Sequence, residues 1–140
     1  MRQILLFAAL AASLALLSGC TLSKAKADTA EDMTDKAAYH KLSAEEAYEM
    51  MASQEAVVVD VRTREEYDGG HIENAVLVPN ESIGIEMPEA LPDKEATLLV
   101  YCRSGRRSKD AAQKLLALGY QSVYDFGGVI DWPYELVKEG

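Results

Sequence analysis

Apolar and polar positions from residue 39 onward form two kinds of segment that follow one another along the chain. Short apolar runs rich in valine are typical of strands buried in a parallel sheet. Segments with apolar residues at helical spacing, bounded by capping residues and glycines, predict helices. The predicted strands are residues 39–42, 56–61, 76–78, 96–101 and 122–125. The predicted helices are residues 43–53, a short one ending at 69–70, residues 108–118 and a short closing one from residue 129.

Capping residues mark where several of these helices begin. Two pairs have the spacing of a capping box, Ser43 with Glu46 and Thr63 with Glu66. Ser108 is expected to cap the third helix and Gly119 to close it. Residues 80–95, with two prolines, predict an irregular crossover on the surface. The alternation indicates an α/β fold, a three-layer domain whose central, mostly parallel sheet of about five strands has helices on both faces.

The first residues do not follow this pattern. Arg2 precedes an apolar run over residues 4–17, which is too short for a comfortable transmembrane span and fits a secretory signal. Residues 17–20, Leu-Ser-Gly-Cys, resemble the lipobox of bacterial lipoproteins, which implies cleavage before Cys20 and lipidation of its thiol. An ordinary secreted protein and an uncleaved anchor are the alternatives.

These segments predict three parts of the chain. Residues 1–19 are the signal peptide, residues 20–38 are the lipidated Cys20 and a flexible tether, and residues 39–140 are the folded domain. We therefore expect the domain to lie outside the cytoplasm, on the periplasmic or cell-surface side of a bacterial membrane. The lipid on Cys20 would attach it to that membrane.

Charge and cysteine content narrow the function classes. The 140 residues include 14 Lys and Arg against 23 Asp and Glu, for a net charge of -9. Such acidity argues against a nucleic-acid partner, which needs a basic face. The length suits one hydrophobic core. With Cys20 acylated, Cys102 is the only free thiol, so no disulfide within the chain is expected and the thiol is a candidate for reactivity.

Cys102 follows the fourth predicted strand directly, on a tight turn into the third helix. Open α/β sheets bind ligands at this end of their strands, and the N–H groups of the next helix favour an anion. Arg103, Gly105, Arg106 and Arg107 lie in the same turn. We expect these groups to keep Cys102 as a thiolate near neutral pH and to attract an anionic substrate. A buried structural cysteine is the alternative, but it would not need three arginines in so acidic a chain.

Four residues elsewhere are candidate supports of this loop. Asp60 and Arg62 end a buried strand and are expected to border the Cys102 loop as hydrogen-bonded supports. His71 is the obvious candidate for a general base, but it has no partner in its turn, which favours a hydrogen-bonding role. Trp132 is expected either to wall the pocket or to pack in the core.

Four motifs occur in order along the chain. They are Asp60-Val61-Arg62 with Glu65 and Tyr67, Gly70-His71-Ile72 with Ala75, Val100-Tyr101-Cys102-Arg103-Ser104-Gly105 with Arg107-Ser108, and Gly127-Gly128 with Trp132. Together they resemble the single-domain rhodaneses, a family of sulfurtransferases. The resemblance covers the chain from Tyr39 onward and implies a compact α/β domain that moves a sulfane sulfur.

The resemblance also implies a mechanism and partners. Cys102 would attack the outer sulfur of a small anionic donor such as thiosulfate and become a persulfide, and a thiol or cyanide would then remove the sulfur. The implied donor-binding residues are Arg103, Ser104, Gly105, Arg106, Arg107 and Ser108, whose amides, hydroxyls and guanidinium groups surround the sulfur. Such covalent catalysis predicts ping-pong kinetics. No metal and no organic cofactor are implied, and we expect a monomeric domain.

Two other functions use similar elements. Cysteine-based phosphatases and arsenate reductases also place a thiolate on a strand-loop-helix turn. The tyrosine-phosphatase pattern, however, has an arginine where this chain has Ser108 and a histidine where it has Tyr101. Rhodanese-like domains also serve as sulfur relays or binding modules. The presence of Cys102 favours an enzyme over a binding module without naming its partner.

Overall fold

The computed structural model describes residues 38–138. The strands of this part of the chain are β1 (Ala38–Lys41), β2 (Val57–Asp60), β3 (Val76–Leu77), β4 (Thr97–Cys102) and β5 (Ser122–Gly128). Its helices are α1 (Ala44–Ser53), α2 (Arg64–Asp68) and α3 (Arg106–Ala117), with single 3-10 turns at Asn80–Ser82 and Val129–Asp131. The strands pair in the order β1-β5-β4-β2-β3, and every pairing is parallel. The predicted α/β class is confirmed.

The central strand β4 carries Cys102 at its carboxyl end and is buried on both faces. Its side chains alternate between two hydrophobic clusters, as the period of a strand requires. One cluster holds Val100 and Cys102 with Ala111 and Leu115 of α3. The other holds Leu99 and Tyr101 with Ala47 of α1 and Tyr67 of α2. The helices therefore cover both faces of the sheet, and the Cys102 side chain lies on the α3 face.

Both predicted capping boxes are confirmed. In each box the N-cap hydroxyl, of Ser43 or Thr63, accepts from the backbone N–H of the glutamate three residues later. The carboxylate of that glutamate, Glu46 or Glu66, in turn accepts from the backbone N–H of the N-cap residue. The predicted cap of α3 is wrong. Gly105, at φ 98°, is its N-cap, so α3 begins ahead of Ser108. A glycine enters this left-handed region without steric penalty, which lets the helix start directly after the cysteine loop.

The end of the chain also differs from the expectation. Gly127 does not turn the chain away from β5. It takes a φ of 93° inside the strand, next to a register shift, and Gly128 pairs with Cys102 beyond it. The closing helix is only the 3-10 turn Val129–Asp131, and Trp132 is already extended. Pro133 explains the early stop, since a residue before proline is disfavoured in helical conformation.

The predicted signal peptide of residues 1–19, the lipidated Cys20 and the tether up to residue 37 lie outside the described residues. Between residues 38 and 138, no helix has the length and apolar character needed to cross a membrane.

Candidate active site

The Cys102 loop joins the end of β4 to the start of α3 in three residues, 103–105. Cys102 itself is 1% exposed, and its Sγ accepts a hydrogen bond of 3.0 Å from the N–H of Gly105. The left-handed conformation of Gly105 folds the loop back over the sulfur. The first N–H groups of α3, which have no partner within the helix, begin at the same place. The sulfur therefore sits in a cradle of backbone donors.

The balance of burial and hydrogen bonding favours the thiolate. Burial by itself raises the pKa of Cys102, but the N–H and hydroxyl of Ser108 and the N–H groups of Gly105 and Ser104 outweigh it, and the pKa is lowered. Hydrogen bonds to the charged form of a group and a helix N-terminus both act in this direction. The lowered pKa increases the fraction of Cys102 that is present as the nucleophilic thiolate at a given pH.

The three arginines of the loop region have different surroundings. Arg103 and Arg106 are exposed, and neither makes an ion pair with any other described residue. Arg107 is half-buried and forms a two-pronged pair with Glu66 of α2, at 2.7 and 2.8 Å. Arg103 and Arg106 are therefore free to bind an anionic donor, whereas the Arg107 guanidinium already holds α3 to α2.

The serines of the loop also differ. Ser104 is exposed beside the sulfur, and its hydroxyl makes no hydrogen bond within residues 38–138. Ser108 is completely buried, and its hydroxyl lies 2.7 Å from Oδ1 of Asp125. Because a hydroxyl has one proton, the Ser108 hydroxyl that donates to the Asp125 carboxylate cannot donate to a second acceptor at the same time.

The end of β5 packs directly against the backbone of the cysteine loop. Gly128 pairs with Cys102 across the sheet, and a Cβ at Gly128 would lie 2.6 Å from Cα of Ser104 and would also strike the carbonyl oxygen of Arg103. The N–H of Ile130 donates to that same carbonyl at 3.2 Å. The loop and β5 approach so closely that only glycine fits at Gly128.

Asp125 is a site residue that sequence reasoning missed. It lies on β5, is 1% exposed, and accepts hydrogen bonds from the side chains of Tyr39 and Ser108 at 2.7 Å each. The N–H of Gly127 donates to it at 2.9 Å, and Lys41 Nζ lies 3.3 Å away. The only feature of the sequence that could have indicated Asp125 was its carboxylate inside an otherwise strand-like segment. A buried acidic side chain needs hydrogen-bond donors or a positive charge beside it.

Asp60 and Arg62 form a buried pair on the opposite face of the sheet from the sulfur. The Arg62 side chain donates to Asp60 at 2.6 Å and to the carbonyl of Gly70 at 2.8 Å. Asp60 also accepts the hydroxyl of Tyr101, the residue before the cysteine, at 2.5 Å. Asp60 and Arg62 therefore hold β4 in position through the Tyr101 hydroxyl. None of their hydrogen bonds reaches the cysteine loop, residues 103–105.

His71 and Trp132 lie away from the cysteine loop. The His71 ring stacks on Tyr67 at 3.6 Å, with Nδ1 2.9 Å from the Tyr67 carbonyl, and its backbone pairs with Val137. Trp132 packs against Phe126 in the cluster below α1, and lines a groove with Tyr134 on that side. The structure therefore gives both residues packing roles and puts neither against the sulfur.

A groove of about 400 Å³ opens beside the loop. Ser104, Gly105 and Gly127 line it on one side, and Lys41 and the first residues of α1 line it on the other. Among the described residues, no cluster of His, Cys, Asp and Glu could hold a metal ion. The arrangement supplies a sulfur held among fixed N–H donors, next to a groove whose charged lining residues are Lys41, Glu45 and Asp131.

Comparison with known proteins gives consistent matches. The family model of the rhodanese-like domain matches residues 43–133. Among curated proteins, the tRNA uridine(34) hydroxylase of Yersinia pestis is 32% identical over 106 residues, which cover 72% of this chain and 30% of that protein. The hydroxylase of Hamiltonella defensa is 36% identical over 113 residues, covering 76% of this chain and 32% of that protein. The chain thus spans less than a third of the length of these relatives.

Solved structures match the domain over nearly their full length. A rhodanese from E. coli, solved with anions, is 34% identical with a TM-score of 0.55, and the match covers 61% of this chain and all of that one. A rhodanese-like protein from Staphylococcus aureus is 30% identical with a TM-score of 0.62, covering 72% and 99%. A human single-domain sulfurtransferase is 28% identical with a TM-score of 0.59, covering 66% and 93%.

Proposed function

The chain belongs to the rhodanese-like domain family, and on that premise we propose that it is a sulfurtransferase that carries a sulfane sulfur on Cys102. The observation that carries this proposal is the cradle, in which the Sγ of Cys102 accepts the Gly105 N–H at 3.0 Å next to the start of α3. A sulfur held this way is both a nucleophile and, once loaded, a persulfide with fixed donors around its negative charge.

The proposed first step loads the cysteine. The Cys102 thiolate attacks the outer sulfur of thiosulfate, a new S–S bond forms, and the bond to the sulfonate sulfur breaks with its electron pair leaving on sulfite. The product is a persulfide whose outer sulfur carries the negative charge. We assign the sulfonate end of the donor to Arg103 and Arg106, and their exposure and lack of an ion-pair partner within residues 38–138 support this assignment.

The proposed second step unloads it. A thiolate or cyanide attacks the outer sulfur, the S–S bond of the persulfide breaks, and Cys102 recovers its electron pair as a thiolate. The N–H groups of Ser104, Gly105 and Ser108 face the recovered charge again, so no metal or organic cofactor enters either step. This is a two-step covalent reaction with one product released before the second substrate binds.

We also propose a location for the protein. The lipobox resemblance at residues 17–20 supports attachment through a lipid on Cys20 and an extracytoplasmic domain. The segment that follows Cys20 up to residue 37, ahead of β1, would be the tether, with a root-mean-square reach of roughly 20 to 25 Å.

A mass measurement tests the sulfur-transfer proposal. After incubation with thiosulfate and removal of excess reagent, the peptide that contains Cys102 should gain the mass of one sulfur atom, and cyanide should then release thiocyanate. Cys102→Ala should abolish both signals with an unchanged circular dichroism spectrum, and Ser104→Ala, which keeps the thiol, should still be loaded. An unloaded Cys102 that alkylates readily, or turnover by Cys102→Ala, would exclude this mechanism.

A further inference from the structure

Three aromatic side chains line a groove on the α1 face of the sheet. Tyr48 of α1 stacks on Tyr134 with 3.9 Å between the ring centroids, and Trp132 lies in a T-shaped arrangement with Tyr134 at 5.0 Å. Tyr48 is 46% exposed and Tyr134 is 37% exposed. Together with residues 72–74 they line an open groove of about 370 Å³, which we call the aromatic groove. The proposed sulfur transfer makes no use of these exposed rings.

Carboxylates surround the aromatic groove on three segments of the chain. Glu73 and Glu135 line it directly. Glu45 lies three residues before Tyr48 and four before Glu49, so these three side chains share one side of α1. None of the four glutamates forms an ion pair with any residue from 38 to 138, and no lysine or arginine of that range lines the groove. The groove is therefore a site of negative potential.

This combination of groups favours a guanidinium group as the ligand. Aromatic ring faces and carboxylates both attract cations, and arginine uses both, because its flat side chain stacks on rings and pairs with carboxylate oxygens. Four carboxylates would repel an anion, and a purely apolar segment would desolvate them without pairing their charges. The carboxylates lie on separate segments, and a single cation could not pair with all of them. The fitting ligand is thus a chain segment with more than one positive charge.

Two other occupants fit the groove less well. A second copy of this chain, with a net charge of -9, would be repelled by the carboxylates. The segment 21–37 contains no arginine, and its lysines are outnumbered by its acidic residues. The lysines are Lys24, Lys26 and Lys36, and the acidic residues are Asp28, Glu31, Asp32 and Asp35. Charge complementarity therefore favours a basic segment of another protein.

We propose that the aromatic groove is a docking site for an arginine-bearing basic segment of a partner protein. The guanidinium groups of this segment stack on the exposed tyrosine rings and pair with the surrounding glutamates. Residues 129–132 connect the groove to the cysteine loop, because the N–H of Ile130 donates to the carbonyl of Arg103 at 3.2 Å. A docked partner would therefore contact a segment that also holds the cysteine loop, but docking itself needs no sulfur transfer.

Fluorescence tests the proposal directly, because Trp132 is the only tryptophan of the chain. The full chain with Cys20→Ser is titrated with capped Gly-Arg-Gly-Arg-Gly and with the same peptide carrying citrulline, the uncharged analogue of arginine. The arginine peptide should give a saturable change in emission and the citrulline peptide none. A lysine peptide should bind about threefold more weakly, since an ammonium group does not stack on rings as a guanidinium does. Equal responses to the arginine and citrulline peptides, or binding of the lysine peptide as tight as that of the arginine peptide, would overturn the proposal.

Matched variants separate the groove from the general acidity of the chain. Glu73→Gln combined with Glu135→Gln should weaken binding of the arginine peptide about fivefold or more, because two ion pairs are lost. Glu86→Gln combined with Glu89→Gln removes the same charge from exposed positions outside the groove and should change binding less than about twofold. Tyr134→Leu, which keeps apolar volume but removes the ring, should weaken binding about threefold. Equal effects of the two glutamine pairs would contradict a specific site.

The less suitable occupants would be recognised without any peptide. If the segment 21–37 filled the groove, Lys24→Gln, Lys26→Gln and Lys36→Gln together would change the Trp132 emission. If a second copy filled it, the emission would change on dilution. Either result would overturn the proposal. Cys102→Ala should bind the arginine peptide as tightly as its parent, so the docking test stands whether or not the protein transfers sulfur.

Discussion

Gly128 shows how a single missing side chain shapes the site. Because a Cβ there would meet the backbone of Arg103 and Ser104, Gly128→Ala should push the cysteine loop away from β5. We expect a loss of about 1 to 3 kcal/mol of unfolding free energy, typical of overpacking, and at least a tenfold loss of sulfur transfer. Urea unfolding and a thiosulfate assay measure the two effects. Gly84→Ala, where a Cβ would have no neighbour within 4 Å, is the matched control and should change neither.

At the same scale, the environment of Cys102 predicts its pH dependence. Its donors lower the pKa of the thiol in the folded protein against the opposing effect of burial. Alkylation of Cys102 should therefore have a lower midpoint in the native protein than in the same chain in urea, where a free thiol titrates near about 8.5. The measurement is made in a Cys20→Ser background. Equal midpoints in both states would remove the basis for a stabilised thiolate.

At the scale of elements, one ion pair joins α2 to α3. Arg107 holds the pKa of Glu66 at about 2, well below its usual value of 4.5. A carboxyl whose folded pKa is depressed contributes stability above its unfolded pKa, and this contribution is lost as the pH falls toward the folded value. The pair therefore stabilises the fold at neutral pH and fades between about 4.5 and 2.

Glu66→Gln tests this link while leaving a side chain that can still complete the capping box. The side chains of Arg107 and Glu66 are partly exposed, at 24% and 28%. Because solvent screens such a pair, we expect Glu66→Gln to lower the free energy of unfolding by about 1 to 2 kcal/mol at pH 7. The difference in unfolding free energy between wild type and Glu66→Gln should become smaller when urea unfolding is repeated at successively lower pH below 5. Glu46→Gln in the capping box of α1 has no arginine partner among the described residues and should show a smaller difference. A constant difference across pH would contradict the ion-pair explanation.

At the scale of the whole molecule, attachment and catalysis are expected to be separable. Cys20→Ser should abolish the incorporation of labelled fatty acid into the protein, because a lipid chain could no longer be added. Its sulfur transfer with thiosulfate should equal that of the detergent-solubilised wild type, since Cys102 belongs to the folded domain. Wild-type protein that takes up no labelled fatty acid, or labelling that persists in Cys20→Ser, would refute the lipid anchor. Cys102→Ser in the same cells should stay membrane-bound and inactive.

The sequence alone determined those features that depend on residues close together along the chain. The capping boxes of α1 and α2 need only residues three apart, and both are present. The alternation of apolar runs and helical segments was enough to predict the α/β class, because apolar positions repeat with a different period in strands and in helices. The position of Cys102 between a buried strand and a helix followed from the same local signals, as the structure now shows.

Only the tertiary structure decided which distant side chains meet. Asp125 lies 86 residues from Tyr39 and 17 from Ser108, and Glu66 lies 41 from Arg107, so no local spacing indicates that these pairs form. For the same reason Ser108 looked like a helix cap, although the buried carboxylate of Asp125 engages its hydroxyl and Gly105 starts the helix instead. A parallel sheet brings the carboxyl ends of its strands to one edge, and the strand order β1-β5-β4-β2-β3 fixes which residues share that edge with the cysteine.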